Sequence, residues 1–116
     1  MPGPEPFAEF IRKLPQVDSP LASLRGWMLK TDQALAMFYE IPEGVEVPEH
    51  AHGAQWGVVI EGSVEFTIGG VTKTYRPGDT YYVPDSVAHS AVIHPGFVGI
   101  DVFADADRYT ARKEES

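Results

Sequence analysis

His50 and His52 stand two apart in "PEHAHGAQWGVVIEG", Pro48 to Gly62 of a chain that has four histidines. In an extended segment, residues i and i+2 point to one side. Two imidazoles so placed present two nitrogen ligands from a β scaffold, as histidines at i and i+4 do from a helix. By itself such a pair is as consistent with structural histidines as with a metal site. Gln55 follows three residues after His52, and His89 opens a further run, "HSAVIH". His94 has the opposite parity to His89 and lies against Pro95-Gly96, so it reads as a surface or turn histidine. Near the end of the chain, Asp101 and Phe103 share one face of "FVGIDVFA", with Arg108 beyond them. An aspartate there is equally readable as a strand-end residue that caps a backbone group.

The elements that must position these residues are short. "PEPFAEFIRKLPQ" places Phe7, Phe10, Ile11 and Leu14 at i, i+3, i+4 and i+7, which predicts a short amphipathic helix stopped by Pro15. "LRGWMLKT" and "ALAMFYEI" read as strands around a turn at Asp32-Gln33, and "PEGVEVPEH" as a turn into another strand. "WGVVIEG", "VEFTI", "VTKTY", "TYYVP", "AHSAVIH" and "FVGIDVFA" continue the pattern, with a Gly-Gly hairpin turn at Gly69-Gly70. The tail "DADRYTARKEES" is polar and reads as loose after Tyr109. One helix followed by about eight or nine short strands suggests an all-β barrel or jelly roll. Both faces of "FVGIDVFA" and of the Gln55–Glu61 run carry bulky apolar residues. Packing by the N-terminal helix and early strands accounts for that; so does a subunit interface, and the expectation is a homodimer.

Composition narrows the function classes. The 116 residues suit one domain, and a formal charge of −8 leaves no basic cluster for a nucleic-acid backbone. There is no cysteine, which excludes disulfides and zinc–thiolate sites. No apolar run reaches the length of a membrane span, and "MPGPEPFAEF" does not read as a signal peptide. A cytoplasmic protein with a small-molecule ligand is expected, with neither nucleic acid nor membrane as partner.

Two spaced motifs then carry a resemblance. "GVEVPEHAHGAQWGVVIEG" has Gly44, five residues, His50-Ala51-His52, two residues, Gln55, six residues and Gly62. "GDTYYVPDSVAHSAVI" has Gly78, five residues, Pro84, then Ser86, His89 and Ile93. In this the chain resembles a small single-domain cupin of the conserved-barrel type. That family's first motif places a glutamate where Gln55 stands, and its second places glycine and asparagine where Ser86 and Ile93 stand. The spacer after His52 is one residue shorter than the family's shortest. The resemblance implies an all-β cupin fold, a double-stranded β-helix or jelly-roll barrel, with a short N-terminal helix. It implies one domain over 1–116: N-terminal helix and lead-in at 1–24, β-barrel at 25–104, polar tail at 105–116. It also implies a divalent transition metal (zinc, nickel, iron, manganese or cobalt) held by His50, His52, Gln55 and His89.

Gln55 is the informative departure. An amide offers a neutral carbonyl oxygen in place of a charged, protonatable carboxylate. A centre of three imidazoles and one amide leaves the ion's charge uncompensated, which suits Lewis-acid work on an oxygen-rich or anionic substrate. It suits oxygen activation less, because iron oxygenases commonly use a facial carboxylate. The alternative for Gln55 is a hydrogen bond to a neighbour. "IDVFADADRYT" is further similar to the closing segment of cupins that open unsaturated uronate rings in pectin and alginate breakdown, which also carry Gln at this position. That similarity implies Asp101 and Arg108 as catalytic residues and Phe103 as a substrate contact, with the arginine's spacing off by about one residue. Three functions follow: a metal-dependent isomerase or lyase acting on a small oxygenated, uronate-like acid; a noncatalytic metal or small-ligand binding module; and, disfavoured by Gln55, a metal-dependent dioxygenase.

Overall fold

The computed structural model describes residues 5–21 and 23–112. Their strands are β1 (Val17–Asp18), β2 (Arg25–Lys30), β3 (Leu35–Ile41), β4 (Val45–His50), β5 (Gln55–Glu61) and β6 (Val64–Ile68). β7 (Val71–Tyr75), β8 (Thr80–Val83), β9 (His89–Ile93), β10 (Phe97–Phe103) and β11 (Thr110–Ala111) complete them. A five-stranded sheet runs β2-β3-β10-β5-β8, a four-stranded sheet runs β4-β9-β6-β7, and β1 pairs with β11. Every pairing is antiparallel. This is the all-β jelly roll expected from the strand spacing. Among the described residues, no helix is long and apolar enough to cross a membrane.

Period-2 alternation forms the strands and assigns their faces. On β3, Leu35, Met37, Tyr39 and Ile41 are buried while Ala36, Phe38 and Glu40 between them are less so. On β9, His89, Ala91 and Ile93 point inward, and on β5 Gln55, Gly57 and Val59 do. Of these, Leu35, Met37, Tyr39, Ile41, Val59, Ala91 and Ile93 meet between the two sheets in one core that also holds Val64, Phe66, Val83, Phe97 and Phe103. Each large aliphatic or aromatic side chain buried there stabilises the fold by about 1.5–3 kcal/mol. Gly69 and Gly70 turn the β6–β7 hairpin with φ of 56° and 83°, the backbone a two-residue type I′ turn demands.

The N-terminal helix does not form. Residues 8–14 make isolated turns instead, with Ile11 N–H and Arg12 N–H both donating to Ala8 O and Leu14 N–H to Ile11 O. Between Pro6 and Pro15 only eight residues remain, too few to offset the cost of helix nucleation. The apolar stripe is satisfied without a helix. Phe7, Ile11 and Leu14 cover Trp27, Val98, Phe38 and Ile100 on the outer face of the larger sheet. Phe7 meets Trp27 and Phe38 edge-on at 6.2 and 5.8 Å, and Phe10 stays 75% exposed.

Candidate metal centre

His50 and His89 are opposed across the β4–β9 pair. Simple alternation along β4 would not achieve this, because Val45 and Val47 face inward and Glu49 would come next. The register shifts between Val47, opposite Ala91, and His50, opposite His89. Three steps on β4 thus match two on β9, the signature of a β-bulge, at Pro48-Glu49. Pro48, which has no N–H to give the ladder, sits in it. The bulge turns His50 inward. His52 lies just past the end of β4 and is tied to the β8–β9 turn by Ser86 N–H donating to His52 O at 2.9 Å. Ser86 has φ of 64°, a left-handed backbone that favours glycine, which explains why the resemblance expects glycine there.

The three imidazoles converge, with one ligand atom from each within 4.8 Å of the others. Every Nδ1 faces a backbone carbonyl: Pro48 O at 2.8 Å from His50, Gly53 O at 2.7 Å from His52, and Val87 O at 2.9 Å from His89. A carbonyl only accepts, so each Nδ1 carries a proton, and the neutral form of such a ring turns its lone pair outward at Nε2. His52 Nε2 and His89 Nε2 lie 3.1 Å apart. Two lone pairs at that distance repel unless a cation lies between them. Burial holds the pKa of both rings below that of an ordinary histidine, and the Arg108 guanidinium and the neighbouring imidazoles push the same way. The donor set fits a divalent transition metal: neutral, borderline nitrogen ligands, each fixed by a second partner.

Gln55 and Asp101 sit behind the triad, both buried. Gln55 Nε2 donates to Asp101 Oδ2 at 2.8 Å. A carboxylate accepts only, so the NH₂ end of the amide is committed there and its carbonyl oxygen is the end left over. Tyr39 OH donates to the same Oδ2 at 3.1 Å, and Tyr81 OH donates to Oδ1. Burial raises the Asp101 pKa to about 6, against the opposing effect of hydrogen bonds from Tyr81, Tyr39 and Gln55. Burial and the Asp101 charge hold both phenols well above their usual pKa, so at neutral pH they are donors.

This carboxylate has room because of a glycine. Asp101 pairs with Gly57 on β5, and Gly57 with Tyr81 on β8. Asp101 and Tyr81 therefore meet over a residue without a side chain. A Cβ at Gly57 would collide with an Asp101 carboxylate oxygen and the Tyr81 ring. Tyr39 and Tyr81 are fixed residues of no motif in the sequence. The signal that finds them is a lone glycine inside a strand, a mark of close approach, combined with the cross-strand register. Trp27 lies in the outer cluster and Tyr82 is exposed, so neither faces this carboxylate.

The triad, Gln55, Asp101, Phe103 and Arg108 all line one cavity of about 300 Å³. Phe103 meets His52 edge-on at 5.8 Å. Arg108 stacks over Tyr109 at 4.5 Å and Phe103 at 5.9 Å. Its Nε is buried without a hydrogen-bond partner, and among the described residues it has no ion pair. His94 lies apart from the triad, 3.2 Å from Glu65 on the surface.

Comparison with known proteins bears on the family and the fold. Residues 37–96, just over half of the chain, match the family described as "Cupin domain". No curated protein matches the sequence. Among solved structures, a RmlC-like cupin from Shewanella frigidimarina is 30% identical with a TM-score of 0.72, over 81% of this chain and 86% of that one. KdgF from a Halomonas species is 22% identical with a TM-score of 0.66, over 84% and 87% of the two chains. A cupin superfamily protein from Desulfitobacterium hafniense is 16% identical with a TM-score of 0.65, over 75% and 82%. The last two bear on the fold alone.

Proposed function

This chain belongs to the cupin domain family, and on that premise we propose that it is a metal-dependent isomerase or lyase whose substrate is a small oxygenated acid, uronate-like at its reacting end. The observation that carries the reading is a cation-seeking triad sharing one cavity with a carboxylate of raised pKa. His50, His52 and His89 hold the ion, with the carbonyl oxygen of Gln55 as fourth ligand. A divalent transition metal bound there supplies Lewis acidity toward substrate oxygens. Arg108, whose buried Nε is unpartnered, pairs the substrate carboxylate, and Phe103 packs against its carbon skeleton. Asp101 accepts a proton from the substrate. Its two oxygens offer about four acceptor sites, and three hydrogen bonds occupy three of them. Tyr39, Tyr81 and Gln55 stabilise its ionised form between turnovers. Trp56 and Tyr82 are cross-strand partners on the outer face, 43% and 58% exposed; with Ile60 they form the surface through which two copies of the chain pair.

An unsaturated uronate presents the required head and is the first probe. Metal-loaded protein is expected to discharge its enol absorbance. The Asp101→Asn protein should bind metal stoichiometrically and turn over at least about 100-fold more slowly, the usual reach of a general base. Unchanged turnover in that variant removes the proton-transfer role. A second reading, a noncatalytic binding module, is favoured by one observation: the near-saturation of the Asp101 carboxylate by neighbours. Stoichiometric metal without turnover of any acid offered would support it.

A further inference from the structure

The cavity has two unlike ends. The triad, Arg108 and the Asp101 carboxylate gather at one of them. From there the register leads away along β3, from Met37 opposite Asp101 to Ile41 opposite Phe97. On the facing sheet it leads from His89 to Ile93, with Val47 alongside on β4. Leu21 and Leu24, from the segment before β2, line the same space. None of Leu21, Leu24, Met37, Ile41, Val47 and Ile93 can ionise or donate a hydrogen bond from its side chain. The phenol of Tyr39, between Met37 and Ile41, is turned to Asp101. This apolar arm of a cavity of about 300 Å³ is walled by half-buried Leu21, Leu24 and Val47 over the buried Met37, Ile41 and Ile93.

We infer that the arm is a subsite for a hydrocarbon substituent on the bound acid. The preferred ligand is then a 2-oxo or 2-hydroxy acid carrying an alkyl chain or ring, in preference to a polyhydroxylated acid of the same size. This rests on the proposed reading of the metal end as the seat of a carboxylate and its neighbouring oxygen, and adds what lies beyond them. A hydroxyl carried into the arm exchanges its water for side chains that offer no partner. A methylene carried there leaves water for apolar surface and gains on every step.

The test is calorimetric titration of zinc-loaded protein with straight-chain 2-oxo acids of increasing length and, in parallel, with an unsaturated uronate. Affinity should tighten about fourfold per added methylene until the arm is full. The longer 2-oxo acids should bind more tightly than the uronate. Ala91, between His89 and Ile93 on the same inward face, lines the cavity, and Ala91→Leu fills the arm and should flatten the series. If Ala91→Leu does not fold, the wild-type series decides alone. A flat wild-type series, or a uronate that binds more tightly than the 2-oxo acids, overturns the inference and leaves the proposed function standing. Failure of every acid to bind while zinc is held overturns the reading of the metal end, and this inference with it.

Discussion

Asp101 sets the pH behaviour at the scale of single residues. Its folded pKa of about 6 lies above the model-compound value of 3.8, chiefly through burial. The folded chain therefore holds the proton that the unfolded chain has already released between those values. Stability from this group is fully present below about pH 4 and is lost as pH rises through about 6. A shift of about two pH units is worth about 3 kcal/mol. His52 and His89, with lowered pKa values, act in the opposite sense, since the unfolded chain binds their protons first on acidification. The Asp101 contribution is isolated by comparing metal-free wild type with Asp101→Asn in urea. The stability difference should move by roughly 2 kcal/mol in favour of the variant from pH 4 to pH 7. A difference independent of pH would show that Asp101 titrates normally. At the same scale, His50→Ala removes one of the convergent nitrogens, and elemental analysis of the purified variant should find it without stoichiometric metal. Full retention of metal would refute the assignment of the triad.

At the scale of elements, two irregularities assemble the site. The bulge at Pro48-Glu49 reverses the parity of β4 so that His50 faces His89. Gly57 leaves a gap in the row Asp101–Gly57–Tyr81 that the carboxylate and phenol fill. Gly57→Ala should force both groups apart and cost about 1–3 kcal/mol, the usual penalty for overpacking a tight interior. Thermal melting checks it, and an unchanged melting temperature would mean that the row is looser than its register implies. The strands from β2 to β10 were legible because alternation and turn chemistry are local signals. β1 and β11 were not, because each is two residues long and the two pair across most of the chain. The N-terminal stripe was legible as apolar, but its conformation was decided by the sheet it covers.

At the scale of the whole molecule, the N-terminal segment explains part of the apolar outer surface and leaves the rest open. Trp27 and Val98 are covered from within the chain, whereas Trp56, Ile60 and Tyr82 remain exposed. Those three lie on β5 and on β8, an edge strand of the five-stranded sheet, where unpaired backbone and apolar side chains favour association. The proposed homodimer predicts that Trp56→Glu combined with Tyr82→Glu gives a monomer by light scattering at concentrations where wild type is a dimer. A wild-type monomer at all concentrations would remove the interface.

The sequence by itself determined the alternating strands, their turns, the spacing of His50, His52 and His89, and the placement of Asp101 and Phe103 on one face. These follow from neighbours a few residues apart, where backbone period and side-chain type decide. Tertiary structure alone decided which groups touch. The chain does not announce that Gln55 turns its NH₂ to Asp101, that Tyr39 and Tyr81 complete that carboxylate's shell, or that the cavity has an apolar arm. Those contacts join residues 20 to 62 positions apart. They depend on strand register and on one bulge, and a one-residue slip in either would send every side chain involved to the opposite face.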